Sequence, residues 1–211
     1  MPNKILFISP HTDDIELGCG GSIRRFVEEK KEVFCVILSD CRNAIPQGFE
    51  EDALNKECIS SLISLGVKKD HIFMFQIENK EFQKNNRKIF FILEDLKEKL
   101  KPDLVIIPSL NDSHQDHKTV AEESLRVFRH NISIISYEEP WNHIKFEPRF
   151  FIKLNKKHLD YKINALKKYK TQKKFRRFYF DYELIESLAR VRGSHIASKY
   201  AEAFEVIKLI Q

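Results

Sequence analysis

The stretch Ile5-Leu6-Phe7-Ile8-Ser9-Pro10-His11-Thr12-Asp13-Asp14 decides the fold. An uninterrupted apolar run from Ile5 to Ile8 reads as a strand buried on both faces, the pattern of a parallel sheet covered by helices. Pro10 ends it, so His11 to Asp14 fall in the loop beyond the strand's carboxyl end. Open parallel sheets place their sites there.

Apolar runs recur at Val33 to Ser39, His71 to Phe75, Leu104 to Pro108 and Ile132 to Tyr137. Helical periodicity fills the gaps near Leu17 to Lys30, Glu50 to Leu65, Arg87 to Leu100 and Asp116 to His130, and Lys101-Pro102-Asp103 is a clear helix stop. This βα alternation predicts an α/β fold, a doubly wound, Rossmann-like, mostly parallel sheet of about five strands with helices on both faces. Past Pro140-Trp141 the alternation fades into a late strand at Pro148 to Leu154 and helices near Lys156 to Lys170 and Asp181 to Arg192. These are expected to form a small C-terminal α/β cap beside the sheet. The chain reads as one domain over 1–211, with a core at 1–139 and an extension at 140–211, and carries no repeat or low-complexity tract.

A chain of 211 residues, 42% hydrophobic, can bury a core of its own. No apolar stretch approaches the ~18 residues of a membrane span, and no leader pattern precedes the first strand, so a cytoplasmic location is expected. Cys19, Cys35, Cys41 and Cys58 lack C-x-x-C spacing and suit buried free thiols, Cys19 included despite its place near the first motif. The net charge of +5 is concentrated: residues 153–177 hold eleven Lys or Arg against the single acid Asp160, so the rest of the chain is acidic. Leu159, Ile163 and Leu166 recur there at helical spacing, which reads as an amphipathic helix with a solvated lysine face. The alternative is attraction for an anionic partner, which the interleaved aromatics of Phe175-Arg176-Arg177-Phe178-Tyr179-Phe180 would assist.

Half of the six glycines, Gly18, Gly20 and Gly21, cluster after the first strand. A dinucleotide fingerprint would place them directly after that strand, and Asp40 would suit its acidic position. Here two aspartates stand where the phosphate would go, and like charges repel it. Adjacent carboxylates in such a loop instead call for a divalent cation. His11 and one aspartate are natural zinc ligands, and a catalytic site needs a third. The fourth predicted strand supplies it, because the loop after Pro108 delivers His114-Gln115-Asp116-His117 to a helix start. In the common doubly wound strand orders the first strand lies between the second and the next strand added on its other side, so the two loops would meet at the switch point. One of His114 and His117 would complete the metal site, leaving the other to donate a proton or hydrogen bond, with Asp116 orienting an imidazole. Of the first two aspartates, one would bind metal and the other accept a proton from water. Capping of a following helix explains either motif alone but gives no use for two convergent histidines.

His11-x-Asp13-Asp14-x-Glu16 with Gly18-Cys19-Gly20-Gly21, joined to His114-x-Asp116-His117, resembles the LmbE-like or PIG-L family of zinc-dependent N-acetylglucosaminyl deacetylases. The likeness continues through Glu57, Leu65-Gly66, Lys170-Thr171-Gln172, Arg192-Gly193 and Tyr200-Ala201-Glu202-Ala203-Phe204. The resemblance implies zinc on His11, Asp14 and His117, with Fe2+ or another divalent transition metal able to take the same donors. It implies Asp13 as general base, His114 as support for the oxyanion or acid for the leaving amine, and Asp116 as the group that orients His114. The implied partner is a small amino-sugar substrate, not nucleic acid, and the family's symmetric assemblies leave a homo-oligomer open. Thr12 and Gln115 stand where the family commonly has proline. No basic residue precedes Glu57 by a turn, which makes Arg42 the substitute candidate for holding substrate. The competing reading is a basic nucleic-acid or anionic-surface binding protein with a structural metal site, but such sites close four ligands, usually cysteines, around the metal.

Overall fold

The computed structural model describes residues 2–210. The strands are β1 (Lys4–Ser9), β2 (Glu32–Ile37), β3 (Ile72–Met74), β4 (Leu104–Pro108), β5 (Ser133–Tyr137), β6 (Phe150–Leu154) and β7 (Tyr200–Lys208). The helices are α1 (Asp14–Glu28), α2 (Ala53–Leu65), α3 (Asn86–Leu100), α4 (Gln115–Phe128), α5 (Lys156–Leu166), α6 (Lys170–Lys174) and α7 (Tyr182–Ser194). One sheet of seven strands runs in the order β3-β2-β1-β4-β5-β7-β6, parallel from β3 to β5 and antiparallel around β7. The mostly parallel, doubly wound architecture is as the sequence predicts.

Strand β1 sits at the centre, and its side chains alternate between two cores. Ile5 and Phe7 pack on one face, in the core that also holds Cys19 and Ile23 of α1, Leu62 of α2 and Leu159 of α5. Leu6 and Ile8 pack on the other, with Leu93 of α3 and Val120 of α4. Each of these fully buried side chains contributes about 1.5–3 kcal/mol relative to exposure. β1 pairs with β2 on one side and β4 on the other, so the loops after β1 and β4 adjoin at the switch point.

Three sequence expectations need correction. The sheet has seven strands rather than about five, and the C-terminal region is no cap, because β6 and β7 extend the sheet itself. β7 lies between β5 and β6, and Tyr200–Phe204 is wholly buried. The expected helix from Lys156 to Lys170 ends at Leu166, and a separate short turn, α6, follows.

Helix α1 is broken at Cys19, whose φ of −139° and ψ of 17° leave the helical region. The break frees the N–H groups of Gly21 and Ser22, which donate to the Glu202 carboxylate at 3.0 and 2.7 Å. The Ser22 hydroxyl and the Lys162 ammonium donate to the same carboxylate. The glycine cluster thus meets an internal anion rather than a phosphate. Its lack of side chains is steric: a Cβ on Gly18 would stand 2.6 Å from the Tyr137 ring, and one on Gly21 2.5 Å from Leu154. All four cysteines are free and buried, which pushes their thiols above the ordinary range. Among the described residues no helix is long and apolar enough to cross a membrane.

Candidate active site

The His11–Asp14 loop and the start of α4 converge on a cavity of about 310 Å³. Within it, three side-chain atoms form a near-equilateral triangle: His11 Nδ1 to His117 Nε2 is 3.2 Å, His11 Nδ1 to Asp14 Oδ2 is 3.4 Å, and His117 Nε2 to Asp14 Oδ2 is 3.5 Å. Tetrahedral ligands at zinc bond lengths are separated by about 3.4 Å, so the donors already stand at the spacing such an ion requires. Two imidazole nitrogens and a carboxylate facing one another need a positive charge between them. Burial opposes a charged His11, but Asp14 and Asp116 outweigh it and raise its pKa well above the usual value.

Two other carboxylates aim the imidazoles. Asp112 Oδ2 lies 2.9 Å from His117 Nδ1, turning Nε2 toward the triangle, and Asp116 Oδ2 lies 3.0 Å from His11 Nε2, turning Nδ1 inward. The latter corrects the expectation that Asp116 orients His114. The first turn of α4 carries the Asp116 carboxylate across to the β1 loop, where it also accepts the Lys80 N–H at 2.8 Å. Only the Asp116 backbone N–H reaches the His114 ring, donating to Nδ1 at 3.2 Å. The neutral ring then carries its proton on Nε2. Burial, followed by the charges of His117 and His11, keeps the His114 pKa below the usual value, so the ring is a hydrogen-bond donor rather than a stored acid.

The nitrogens of His11, His114 and His117 also cluster, as do donor atoms of Asp14, His117 and Glu139. His114 Nδ1 is already engaged, and Glu139 approaches His117 at Nδ1, away from the triangle, at 3.5 Å. In the set His11, Asp14 and His117 the donor atoms stand 3.2–3.5 Å from one another, with Asp14 Oδ2 also accepting the His11 N–H at 2.7 Å.

Asp13 occupies the N-cap position of α1, yet its side chain makes no capping hydrogen bond. Its carboxylate is left to the cavity. Burial, then the neighbouring Asp14, pushes its pKa up to about 7. Asp14 goes the other way, to about 2: burial works against its charge, and His117 and His11 overcome it.

Arg42 does not line the cavity. Its guanidinium is bound to Asp40, with Nη2 2.6 Å from Oδ2, and its side chain is 59% exposed. The arginine that does line the cavity is Arg177, with Asn79, Trp141, Gln172 and Tyr179. Gln172 is set there by Glu57, which accepts from the N–H groups of Lys170 and Thr171 at 2.9 and 3.2 Å. Reading the sequence missed Asp112, Glu139 and Tyr169. Asp112 stood in view beside the second motif; the others lie in stretches whose spacing carries no metal signature. Of the eleven basic residues of 153–177 only Lys162 is buried, paired with Glu202; the other ten are exposed, Lys156 and Lys157 reaching Asp160 and Glu28 at the surface, as a solvated lysine face would be.

A family model described as PIG-L: GlcNAc-PI de-N-acetylase matches residues 6–128, which include both motifs. The chain belongs to the PIG-L family. A relative, the uncharacterized deacetylase YaiS of Escherichia coli (strain K12), is 30% identical over 172 residues, covering 79% of this chain and 90% of that one. The N,N'-diacetylchitobiose deacetylase of Pyrococcus horikoshii superimposes with a TM-score of 0.81 at 19% identity, covering 98% of this chain and 84% of that one. GalB, the 4-carboxy-2-hydroxymuconate hydratase of Pseudomonas putida KT2440, does so equally, at 0.81 and 18% identity over 99% and 98%. One fold thus serves a deacetylase and a hydratase, and the reaction must be argued from side chains.

Proposed function

We propose that this protein hydrolyses the N-acetyl group of an N-acetylglucosamine-type amino sugar or its conjugate, with a divalent metal held by His11, Asp14 and His117. The observation that carries the reading is the triangle of donors spaced for a tetrahedral ion, beside an aspartate free of capping duty. Two nitrogens and one oxygen suit zinc and also accept iron, cobalt or manganese. When bound, the metal would polarise the acetyl carbonyl and make a water more acidic.

The remaining work falls to the chain. Asp13 takes a proton from the attacking water as its oxygen bonds to the carbonyl carbon. His114 Nε2–H donates to the carbonyl oxygen as negative charge gathers on it. Asp13 then returns the proton to the nitrogen, the C–N bond breaks, and acetic acid and the amine leave, the acid passing its proton to the amine or to water to become acetate. The Gln172 side-chain oxygen, buried without a partner, would accept a hydrogen bond from a sugar hydroxyl.

Release of free amine from a panel of N-acetylated amino sugars, measured with metal-loaded protein, tests the reading. Asp13→Asn should keep its metal and lose turnover by about 10²–10⁴-fold. Near-normal turnover would remove Asp13 as the base. His117→Ala should lose the metal itself, and full occupancy in that variant would refute the ligand set.

A further inference from the structure

A second cavity, of about 350 Å³, lies between α7, β7 and the Pro140-Trp141 turn. It shares a wall with the catalytic cavity, since Leu17 and Trp141 line both. Its charged lining groups are already matched within the protein. Lys162 pairs with Glu202 at 2.7 Å, and Arg192 forks onto both oxygens of Glu138. Nothing charged is left over to receive an ionic ligand. The rest of the lining is apolar, with Ile185 and Ala189 buried inside and Phe178 and Leu184, 65% and 37% exposed, at the rim.

The segment from Arg177 to Phe180 faces both spaces. Arg177 and Tyr179 line the catalytic side, Phe178 lines the apolar side, and Tyr179 stacks on Trp141 with ring centroids 4.8 Å apart. Leu17 and Trp141 are the side chains the two spaces have in common, so a ligand with its polar head at the triangle that extends past them meets the apolar lining. Beyond them the wall offers burial and no unpaired charge, which selects an uncharged hydrocarbon.

We propose that this cavity binds an apolar aglycone, alkyl or aryl, carried by the amino-sugar substrate. The assignment rests on the deacetylase reading and adds to it the chemical class of the substituent. Hydrolysis of methyl and hexyl N-acetylglucosaminides gives the first test. Each buried methylene is worth about fourfold, so kcat/KM for the hexyl compound should exceed that for the methyl one by at least about tenfold. Leu184→Asp, at a rim position that tolerates water, should bring the ratio back toward one. Equal kcat/KM for the two glycosides in the unaltered protein would overturn the proposal.

Trp141 is the sole tryptophan, so its fluorescence reports the shared wall directly. Titration with hexyl glucoside, which has no acetamido group, should give a saturable change that Leu184→Asp weakens. No change would overturn the proposal. Saturation together with failure to hydrolyse any N-acetyl sugar would support the apolar site and overturn the deacetylase reading instead. If Leu184→Asp dissociates an oligomer in sedimentation and leaves the ratio unaltered, the cavity is a contact between copies of the chain and the proposal fails.

Discussion

Asp13 and Asp14 are neighbours in sequence and opposites in environment. One carboxyl is pushed up to about 7 and the other held to about 2, and such a split separates a proton acceptor from a permanent anion. The carboxylates behind the imidazoles have a separable effect. Asp116→Asn should weaken metal binding by about 10–100-fold in a chelator competition, and unchanged affinity would remove its orienting role. Tyr169 has a single phenolic proton but two close oxygens, the Thr12 carbonyl and Glu16 Oε1. Burial raises the Glu16 pKa to about 8, so at neutral pH the acid donates to the phenol and the phenol donates to Thr12. Glu16→Gln preserves that chain of donors, whereas Tyr169→Phe breaks it. The first should leave the urea midpoint nearly unchanged, and the second should cost about 1–3 kcal/mol; equal losses would refute the arrangement. The convergence of His11, Asp13, Asp14, His114 and His117 was legible because histidines and carboxylates at two adjoining strand ends have few other uses, whereas the choice of His11, Asp14 and His117 among them came from the family resemblance alone. Asp116 was legible as an orienting group but not its target, because the direction of a side chain in a first helical turn is not written in spacing.

At the scale of elements, the break in α1 explains three glycines that composition alone could assign to a phosphate loop. Glu202 takes the phosphate's place and neutralises Lys162 as well. Glu202→Ala would leave a buried ammonium and two freed N–H groups unsatisfied, at a cost of about 3–5 kcal/mol in denaturant unfolding. A loss below about 1 kcal/mol would mean that water replaces the carboxylate there. Strands β1, β2, β4 and β5 announced themselves through runs of Ile, Val, Leu and Phe. β7 did not, because Tyr200-Ala201-Glu202-Ala203-Phe204-Glu205 mixes alanine and glutamate, both poor strand formers. Its carboxylates point inward to groups that no local pattern reveals: Glu202 to α1, and Glu205 to the hydroxyls of Ser109 and Ser136 at 2.6 and 3.1 Å.

Over the whole molecule, the sheet binds the C-terminal region to the core by a ladder rather than by surface contact. A chain cut after residue 139 would expose the edge of β5 and lose the Glu202 anchor, and we expect it to give no cooperative unfolding transition. A cooperative transition would make the core an independent domain. The amino-terminal ends of the central strands β1 and β4 are tied together by Asp103, whose Oδ2 accepts the N–H groups of Asn3 and Lys4 at 2.8 Å each. Those hydrogen bonds hold its pKa below the usual value. Because the folded pKa is depressed, the stabilisation is complete above the unfolded value near 4 and is lost as pH falls through the folded one. Asp103→Asn should therefore be less stable than the parent by about 1 kcal/mol at pH 7, with the gap closing toward pH 3. A gap independent of pH would show that charge plays no part.

The four buried thiols, protonated and shut away from solvent, have a practical corollary. A single cysteine introduced on the surface would be the one fast-reacting sulfur in the folded protein, so a dye or tether could be attached there without first removing Cys19, Cys35, Cys41 or Cys58.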